Sequence, residues 1–397
     1  MKSDSLFISS IPFPGVAVCN INRIKKSALI KLAHRMKGNA NMSFAETYSI
    51  LKNLYKIHDL DAIPINERAL LSFILRENGL SNSLSKIMKE LSHSCDDMLK
   101  TCKLGSFLTP CKNLFKQAIL PVSRSCCISK NSIITGDTND LPIWTQVSNG
   151  VSFGVFLNLD LETNEYLPQS ATLSYGAEIM IFDPRSHPYS LTFGVSSMFA
   201  SYKEVTFISV DPSVDNNTYA HEGDDHSVCK RSYPSVKHSN RTFHYSFSEC
   251  QFRCMMSKML EACQCILYKH SFEEKHEECP VRGIQCINDY LREATMKDYG
   301  VAEHDEHVIL NECKCPPACE SILYKSTTST LIRDHSTNPT NETHVFIFFE
   351  RSFVNLYERE PIYTAMELLG EYKIQDSRFH SHTVLKYSTI LSYTRVR

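Results

Sequence analysis

The chain lacks several features that would assign it quickly to a class of proteins. None of its 397 residues belongs to a run of about 18 or more apolar residues, the length that a membrane helix needs. Residues 1–15 do not resemble a signal peptide, because Pro12 and Pro14 interrupt a short apolar stretch. The G-x-S-x-G, H-E-x-x-H, Walker and G-x-G-x-x-G motifs are absent as well. We therefore expect no enzyme activity and no catalytic residues.

The chain also lacks an excess of charge of either sign. It has 42 basic and 44 acidic residues and a formal net charge of −2, so we expect no nucleic-acid partner. Tryptophan occurs once, as Trp144, which we expect to anchor a loop against a sheet. The apolar fraction of 42% is typical of a folded protein.

Cysteine, by contrast, is abundant. The chain has 16 cysteines, and such an even, clustered number is typical of an oxidising compartment. C-x-x-C pairs are absent, so we expect disulfides rather than a zinc site, and no metal or cofactor. Four sequons support an extracellular location and predict glycosylation at Asn41, Asn216, Asn240 and Asn341. An extracellular chain without a visible means of export is expected to be part of a longer protein.

Apolar periodicity predicts a fold of mixed helices and strands, in the α+β class. Helices are predicted at residues 43–58, 82–101, 245–262 and 283–298. Strands are predicted at residues 11–21, 151–161, 177–183, 203–212 and 343–350. We interpret the residues from 22 through Lys37 as a basic surface stretch and residues 211–243 as a polar loop.

Ten of the cysteines lie between Cys229 and Cys319, at spacings that bring sulfurs onto common faces. Helical residues at i and i+4 lie about 6 Å apart along the axis, and strand residues at i and i+2 lie about 6.8 Å apart. Two cysteines of a helix can therefore face two of an extended segment, although spacing alone leaves the pairing open. An antiparallel arrangement would give Cys250–Cys315 and Cys254–Cys313, inside Cys229–Cys319 and outside Cys263–Cys286 and Cys265–Cys279.

Four blocks of sequence resemble the degenerin/epithelial sodium channel superfamily. Y-S-F-S-E-C-Q-F-R-C-M-M and C-K-C-P-P-A-C-E-S-I-L-Y-K resemble its two thumb signatures. F-P-G-V-A-V-C-N resembles the segment after the first membrane helix, and F-I-F-F-E-R-S-F-V-N-L-Y-E resembles the last palm strand. Within the superfamily, the two adjacent cysteines Cys126 and Cys127 and the strand S-F-G-V-F-L-N-L-D are most similar to arthropod pickpocket-type subunits.

The resemblance implies a clenched-hand extracellular domain over residues 11–370, with a β-sheet palm and β-ball and a helical finger and thumb. Its implied segments are a first palm strand and connection (11–40), finger (41–145), palm and β-ball (146–228), thumb (229–325) and last palm strand (326–370).

The resemblance also implies a disulfide pattern. It implies the nested thumb pairing given above, together with Cys19–Cys126 and Cys102–Cys111. Cys95 and Cys127 then remain, and we take them as the eighth pair.

For function, the resemblance implies a homo- or hetero-trimeric, amiloride-sensitive sodium channel of the plasma membrane, gated by a ligand or by force. The family's two pore helices and Gly-x-Ser filter are not found here, and residues 371–397 form a polar, divergent tail. We expect a fragment or an incomplete gene model, with a tail that derives from a retained intron. The alternative is a non-conducting, soluble ectodomain that acts as an interaction or dominant-negative module. Two acidic, histidine-rich stretches, 221–226 and 302–307, are candidate pH sensors, although we favour solvated loops.

Overall fold

The structure is a computed structural model, which carries two β-sheets and a layer of helices. It describes residues 2–36, 42–57, 62–120, 124–132, 144–167, 175–186, 188, 194–217, 229–231, 245–266, 277–298, 313–332 and 342–359.

The helices are α1 (Lys26–Met36), α2 (Phe44–Leu51), α3 (Ile65–Glu77), α4 (Leu84–Leu91), α5 (Cys95–Met98), α6 (Cys111–Leu114), α7 (Phe247–Cys263) and α8 (Val281–Asp298). The strands are β1 (Lys2–Phe7), β2 (Gly15–Asn20), β3 (Leu99–Leu104), β4 (Phe107–Thr109), β5 (Phe115–Leu120), β6 (Arg124–Ser129), β7 (Val155–Asp160), β8 (Gly176–Phe182), β9 (Ser196–Ser201), β10 (Glu204–Asn217), β11 (Glu320–Ile332), β12 (Glu342–Phe349) and β13 (Phe353–Arg359).

The larger sheet has eight strands among the described residues, in the order β1-β13-β10-β12-β7-β3-β4, and β11 pairs with β10. We call it the large sheet. Strand β10 is its organising element, because it pairs antiparallel with β11 on one side and parallel with β12 and then β13 on the other. The small sheet has the order β5-β6-β2-β8-β9. The mixture of helices and strands confirms the α+β class predicted from the sequence.

Alternating burial explains why β12 takes its place in the large sheet. Thr343, Val345, Ile347 and Phe349 are fully buried, whereas the residues between them are only half-buried. Successive side chains of a strand point to opposite faces, so one face of β12 forms core and the other remains partly exposed. The strand predicted at 343–350 is thereby confirmed.

The helices share one hydrophobic core, which α1–α4 form together with α7 and α8. Its fully or nearly fully buried members include Leu32, Leu75, Leu91, Met256 and Ile287. The three methionines of α7, Met255, Met256 and Met259, also pack in this core. Among the described residues, no helix has both the length and the apolar character that crossing a membrane requires.

Several other predicted elements are confirmed. The predicted helices at 245–262 and 283–298 correspond to α7 and α8, and that at 43–58 corresponds to α2 and a 3₁₀ helix (Lys52–Lys56). The predicted strands at 11–21, 151–161 and 177–183 contain β2, β7 and β8. Trp144 is 6% exposed and packs edge-on against Phe115, as expected for a loop anchor.

The interpretation of residues 22–37 as a basic surface stretch is wrong. Most of this segment is α1, whose Leu29, Leu32, Ala33 and Met36 are buried along one face. These positions repeat at helical spacing, and the basic residues occupy the remaining positions. The segment is therefore an amphipathic helix. Its basic residues are on the outer side, and its apolar stripe faces the core that the helices share.

The helix predicted at 82–101 is too long. Helix α4 ends at Leu91, and Ser94 then caps the short α5 by accepting a hydrogen bond from the amide of Asp97. Leu99 already belongs to β3, where it lies opposite Leu159 of β7. Pairing with the large sheet therefore overrides the helical spacing of the last apolar residues.

The loop predicted at 211–243 begins too early, because β10 continues to Asn217. Pro212 was expected to end the strand. It lies instead between the residues paired with β12 (205–210) and those paired with β13 (213–217). Its missing N–H therefore removes no ladder bond on that side, and the strand continues.

Candidate functional site

Two helices, α7 and α8, form a unit that disulfides cross-link along its length, and we call this unit the hairpin. The disulfides Cys250–Cys315 and Cys254–Cys313 each hold their Cα atoms 5.9 Å apart and join one face of α7 to the extended segment 313–315. Cys263–Cys286 and Cys265–Cys279 bind its far end, and Cys229–Cys319 binds its base. The structure thus contains the antiparallel, nested pairs.

The other three disulfides lie in and beside the sheets. Cys19–Cys126 links β2 to β6, Cys95–Cys127 links α5 to β6, and Cys102–Cys111 links β3 to α6. All sixteen cysteines are bonded, so none is available as a zinc ligand.

The start of α7 is fixed by its own sequence. Ser246 accepts a hydrogen bond from the amide of Glu249, which is the S-x-x-E arrangement of a helix N-terminus. Glu249 is buried, and its carboxylate binds Arg253 one turn later at 2.7 Å. The hydroxyl oxygens of Ser246 and Ser186 lie 2.6 Å apart, which ties the helix start to the segment after β8. The register of Cys250 and Cys254 follows from this fixed start.

The base of the hairpin joins the large sheet through a short network of backbone hydrogen bonds, which we call the base joint (residues 217, 229–231, 245 and 316–320). Cys319 donates to the carbonyl of Lys230 at 3.0 Å and accepts from the amide of Asn217 at 2.7 Å. Asn217 and Glu320 belong to the paired strands β10 and β11. The hairpin is therefore continuous with the centre of the large sheet.

Tyr245 closes the base joint. Its hydroxyl donates to the carbonyl of Pro316 at 2.6 Å, and its amide donates to the carbonyl of Arg231 at 2.9 Å. The side chain is 1% exposed, and this burial raises the pKa of the phenol to about 12. The phenol therefore remains a neutral donor at physiological pH.

The far end of the hairpin meets the first turn of α4, at what we call the tip joint (residues 68, 82–85, 277–278 and 285). The carboxylate of Glu278, which is 2% exposed, accepts from the amide of Ser85 at 3.0 Å and from its hydroxyl. Ser83 makes no side-chain capping bond at this helix. Glu278 thus caps α4 from another part of the chain. Arg68 adds a bond to Gln285 at 2.6 Å.

A cavity of about 350 Å³ lies beside the base joint. Its lining comes from the end of β8, the paired strands β10 and β11, and the first residues of α7. Its lining includes the aromatic residues Phe182, Tyr245 and Phe247 and the acidic residues Asp183, Asp215 and Glu320.

Sequence comparison relates the chain to known proteins. The sequence profile of the family described as amiloride-sensitive sodium channel matches residues 1–372. The chain belongs to the amiloride-sensitive sodium channel family. It is 20% identical to the sodium channel protein Nach of Drosophila ananassae, over 82% of this chain and 59% of Nach. It is 23% identical to acid-sensing ion channel 4 of Rattus norvegicus, over 96% of this chain and 66% of that protein.

Another relative in the amiloride-sensitive sodium channel family is acid-sensing ion channel 1A of Danio rerio, 22% identical over 99% of this chain and 75% of that protein. The chain spans about 60% to 66% of the length of the first two relatives. The family resemblance drawn from the sequence is confirmed. The relatives are named as ion channels, not as enzymes.

The remaining predicted sites of this family member are placed only in part. Asn216 lies in β10, opposite Glu320 of β11 and Glu358 of β13, and lines the cavity. The sequons at Asn41, Asn240 and Asn341, the candidate pH sensors at 221–226 and 302–307, and the tail lie outside the described residues.

Sequence reasoning missed Tyr245 and Glu278, the side chains that close the two joints. Tyr245 directly precedes the S-x-x-E motif, and Glu278 directly precedes Cys279, so each has a neighbour that fixes its position. Their partners, however, lie far away in sequence: Pro316 for Tyr245 and Ser85 for Glu278. The only sequence signal was this adjacency to a cap or a cysteine, and it did not name the partner.

Proposed function

We propose that this chain is the extracellular part of a trimeric, ligand- or mechanically gated, amiloride-sensitive sodium channel subunit at the plasma membrane. In this proposal the large sheet is the palm, the small sheet the β-ball, helices α2–α4 the finger and the hairpin the thumb. Family membership over residues 1–372 and relatives named as sodium or acid-sensing ion channels support it. The pore would come from segments of the full-length subunit.

The observation that carries the proposal is the attachment of the hairpin at both ends. Disulfides make its interior stiff, whereas hydrogen bonds attach it to α4 at the tip joint and to β10 and β11 at the base joint. Strand β10 also pairs with β13, the last described strand. If the hairpin tilted, β10 would therefore transmit the displacement to β13, and β13 would transmit it toward a pore segment of the full-length subunit.

The half-buried face of the large sheet supports assembly into an oligomer. Phe346 of β12 packs against Phe156 of β7 and Phe207 of β10, with ring centroids 4.8 and 5.0 Å apart. These rings lie opposite the buried face of the same strands, and all three remain partly exposed. Aromatic side chains on a partly exposed face are enriched at protein interfaces. We propose that this face contacts neighbouring subunits.

Electrical recording tests the channel proposal. The subunit encoded by the full transcript would be expressed in oocytes, alone and together with related subunits. We expect a sodium current that amiloride blocks, which Tyr245→Ala should reduce at equal surface expression because it opens the base joint. The matched control is Tyr175→Ala, a tyrosine that is 50% exposed and lies outside both joints. A subunit that reaches the surface but carries no current in any combination would favour the non-conducting module instead.

A further inference from the structure

A short break separates β12 from β13 at residues 349–352, which we call the corner. The loop of residues 146–150 binds the corner through four hydrogen bonds. In two of them, the amide of Phe349 donates to Oε1 of Gln146 at 3.0 Å, and its carbonyl accepts from the amide of Gly150 at 2.9 Å. The loop therefore holds the last residue of β12 in place.

The other two hydrogen bonds belong to a single side chain, that of Asn149. Its Nδ2 donates to the carbonyl of Glu350 at 3.1 Å, and its Oδ1 accepts from the hydroxyl of Ser352 at 2.9 Å. An amide can make both bonds because it carries a donor and an acceptor, whereas a carboxylate only accepts. The corner therefore depends on residue 149 remaining an asparagine.

The pair Asn149–Gly150 is chemically labile. Glycine has no side chain to hinder the approach of its amide nitrogen to the preceding side-chain carbonyl. Gly150 has a φ of 94°, and apart from its chain neighbours no heavy atom of the described residues lies within 4 Å of the position that a Cβ would take. Asn149 is exposed, so water reaches its side chain. The surroundings thus leave room for the Gly150 nitrogen to attack the Asn149 side chain.

While the corner is closed, this attack is restrained, because the Gly150 amide and both polar atoms of the Asn149 side chain are hydrogen-bonded. We infer that Asn149 is a deamidation site that becomes reactive when the corner opens. The Gly150 nitrogen bonds to Cγ of Asn149, the side-chain nitrogen leaves with the amide proton as ammonia, and a cyclic succinimide remains. Water then opens the ring at either carbonyl, which gives aspartate or isoaspartate.

The products do not fit the corner. A carboxylate at position 149 has no donor for the carbonyl of Glu350, and it places a negative charge beside that acceptor. Isoaspartate also lengthens the main chain by one carbon, which displaces the Gly150 amide from the carbonyl of Phe349. Because ammonia is lost, the change does not reverse. An effect of this release on gating rests on the proposed channel function, whereas the deamidation itself does not.

Peptide mass spectrometry tests the site on the full chain, secreted with its disulfides formed. The chain would be incubated at physiological pH and digested at mildly acidic pH, where new deamidation is slow. We expect aspartate and isoaspartate at residue 149, formed about three- to tenfold faster in Ser352→Ala, which lacks one of the restraining bonds.

The chain contains an internal control, the pair Asn78–Gly79 at the end of α3. Asn78 donates to the carbonyl of Ile74 and lies outside the loop and the corner, so Ser352→Ala should not change its rate of deamidation. Equal rates at Asn149 in the unmodified chain and in Ser352→Ala, or no product at Asn149 in either chain, would overturn the inference.

A second variant tests what deamidation does to the corner. Asn149→Asp should accelerate amide exchange at Phe349 and Gly150 about three- to tenfold, because the bond to the carbonyl of Glu350 is lost. Asn355→Asp is the matched control, since it adds the same charge at an exposed position of β13 outside the corner. Unchanged exchange at Gly150 in Asn149→Asp would refute the role of Asn149 in the corner. Neither result depends on the currents that test the proposed function.

Discussion

The large sheet and the hairpin hold their segments together by different means. In the sheet, ladder bonds join neighbouring strands and alternate side chains are buried, and only Cys102–Cys111 adds a covalent link. In the hairpin region, five disulfides connect segments that share few ladder bonds. The sheet is therefore stabilised mainly by packing and ladder bonds, whereas the hairpin is cross-linked internally, packs against α1–α4 and is hydrogen-bonded at both ends. The two regions should therefore respond differently when one of their contacts is removed.

The largest effect is expected from a core substitution in the sheet. Ile347→Ala on β12 empties a fully buried position between β7 and β10, and such changes destabilise by about 4 kcal/mol. Because Ile347 belongs to the core that the large sheet shares, amide exchange should accelerate throughout the large sheet. The neighbouring Phe346→Ala, on the half-buried face, is the control and should cost about 1 kcal/mol in the isolated chain. Acceleration confined to β12 would contradict this shared core.

A smaller and more local effect is expected when the outermost disulfide is removed. Cys229 and Cys319 are 90 residues apart, and closing an isolated loop of that length is worth roughly 4.6 kcal/mol in the chain-entropy model. The inner disulfides shorten the effective loop, so we expect Cys229→Ser/Cys319→Ser to cost about 3 kcal/mol. Amide exchange should accelerate at the base joint and remain slow in β7 and β12.

Cys265→Ser/Cys279→Ser is the matched control for that experiment, because this pair closes only 14 residues at the far end. Its exchange should accelerate at the tip joint and leave the base joint protected. If both double variants loosened the large sheet equally, the separation between hairpin and sheet would be wrong.

The difference between the two regions also governs what the sequence could reveal. Alternation in β12 and the caps and cysteines of α7 are local signals, and both elements were predicted close to their observed bounds. The end of α4 and the continuation of β10 past Pro212 depend on partner strands, which no local pattern names. The joints are harder still to predict from the sequence, because Tyr245 contacts Pro316 and Glu278 contacts Ser85 only after folding. Tertiary pairing, rather than propensity, decides these positions.

The tip joint should depend on one carboxylate. Glu278→Ala leaves the first turn of α4 without its acceptor and should cost about 2 kcal/mol, since the amide of Ser85 loses its partner. Glu278→Gln keeps an acceptor oxygen and should recover part of this loss. Amide exchange at Ser85, together with thermal unfolding, provides the measurement.

Glu277→Ala is the control for the tip joint, because among the described residues this neighbouring carboxylate accepts a hydrogen bond from Asn82, at 3.2 Å. It should cost no more than about 0.5 kcal/mol, as surface substitutions usually do. A double-mutant cycle of Ser85→Ala and Glu278→Ala that showed no coupling would contradict the capping role.

The smallest effect is expected at the polar cluster where the helical layer meets the large sheet away from the hairpin. Glu162 follows β7, and its carboxylate lies 2.7 Å from both Lys25 Nζ and His93 Nδ1. Burial alone would raise the pKa of Glu162, but hydrogen bonds with His93 and Lys25 outweigh it and hold that pKa below its ordinary value of 4.5. The cluster therefore stabilises the fold fully above pH 4.5 and loses this contribution as the pH falls through the lower, folded pKa.

Glu162→Gln should accordingly lower the stability near neutral pH, where the cluster contributes fully, and flatten the acid limb of the stability–pH profile below pH 4.5. Glu165→Gln is the control, because this carboxylate of the same segment accepts from the amide of Ser27 instead. Since no disulfide bond involves these residues, the loss should appear as faster exchange in α1 and β7 while the hairpin stays protected. An acid limb of Glu162→Gln that runs parallel to that of the unmodified chain would contradict the contribution of Glu162 to acid stability.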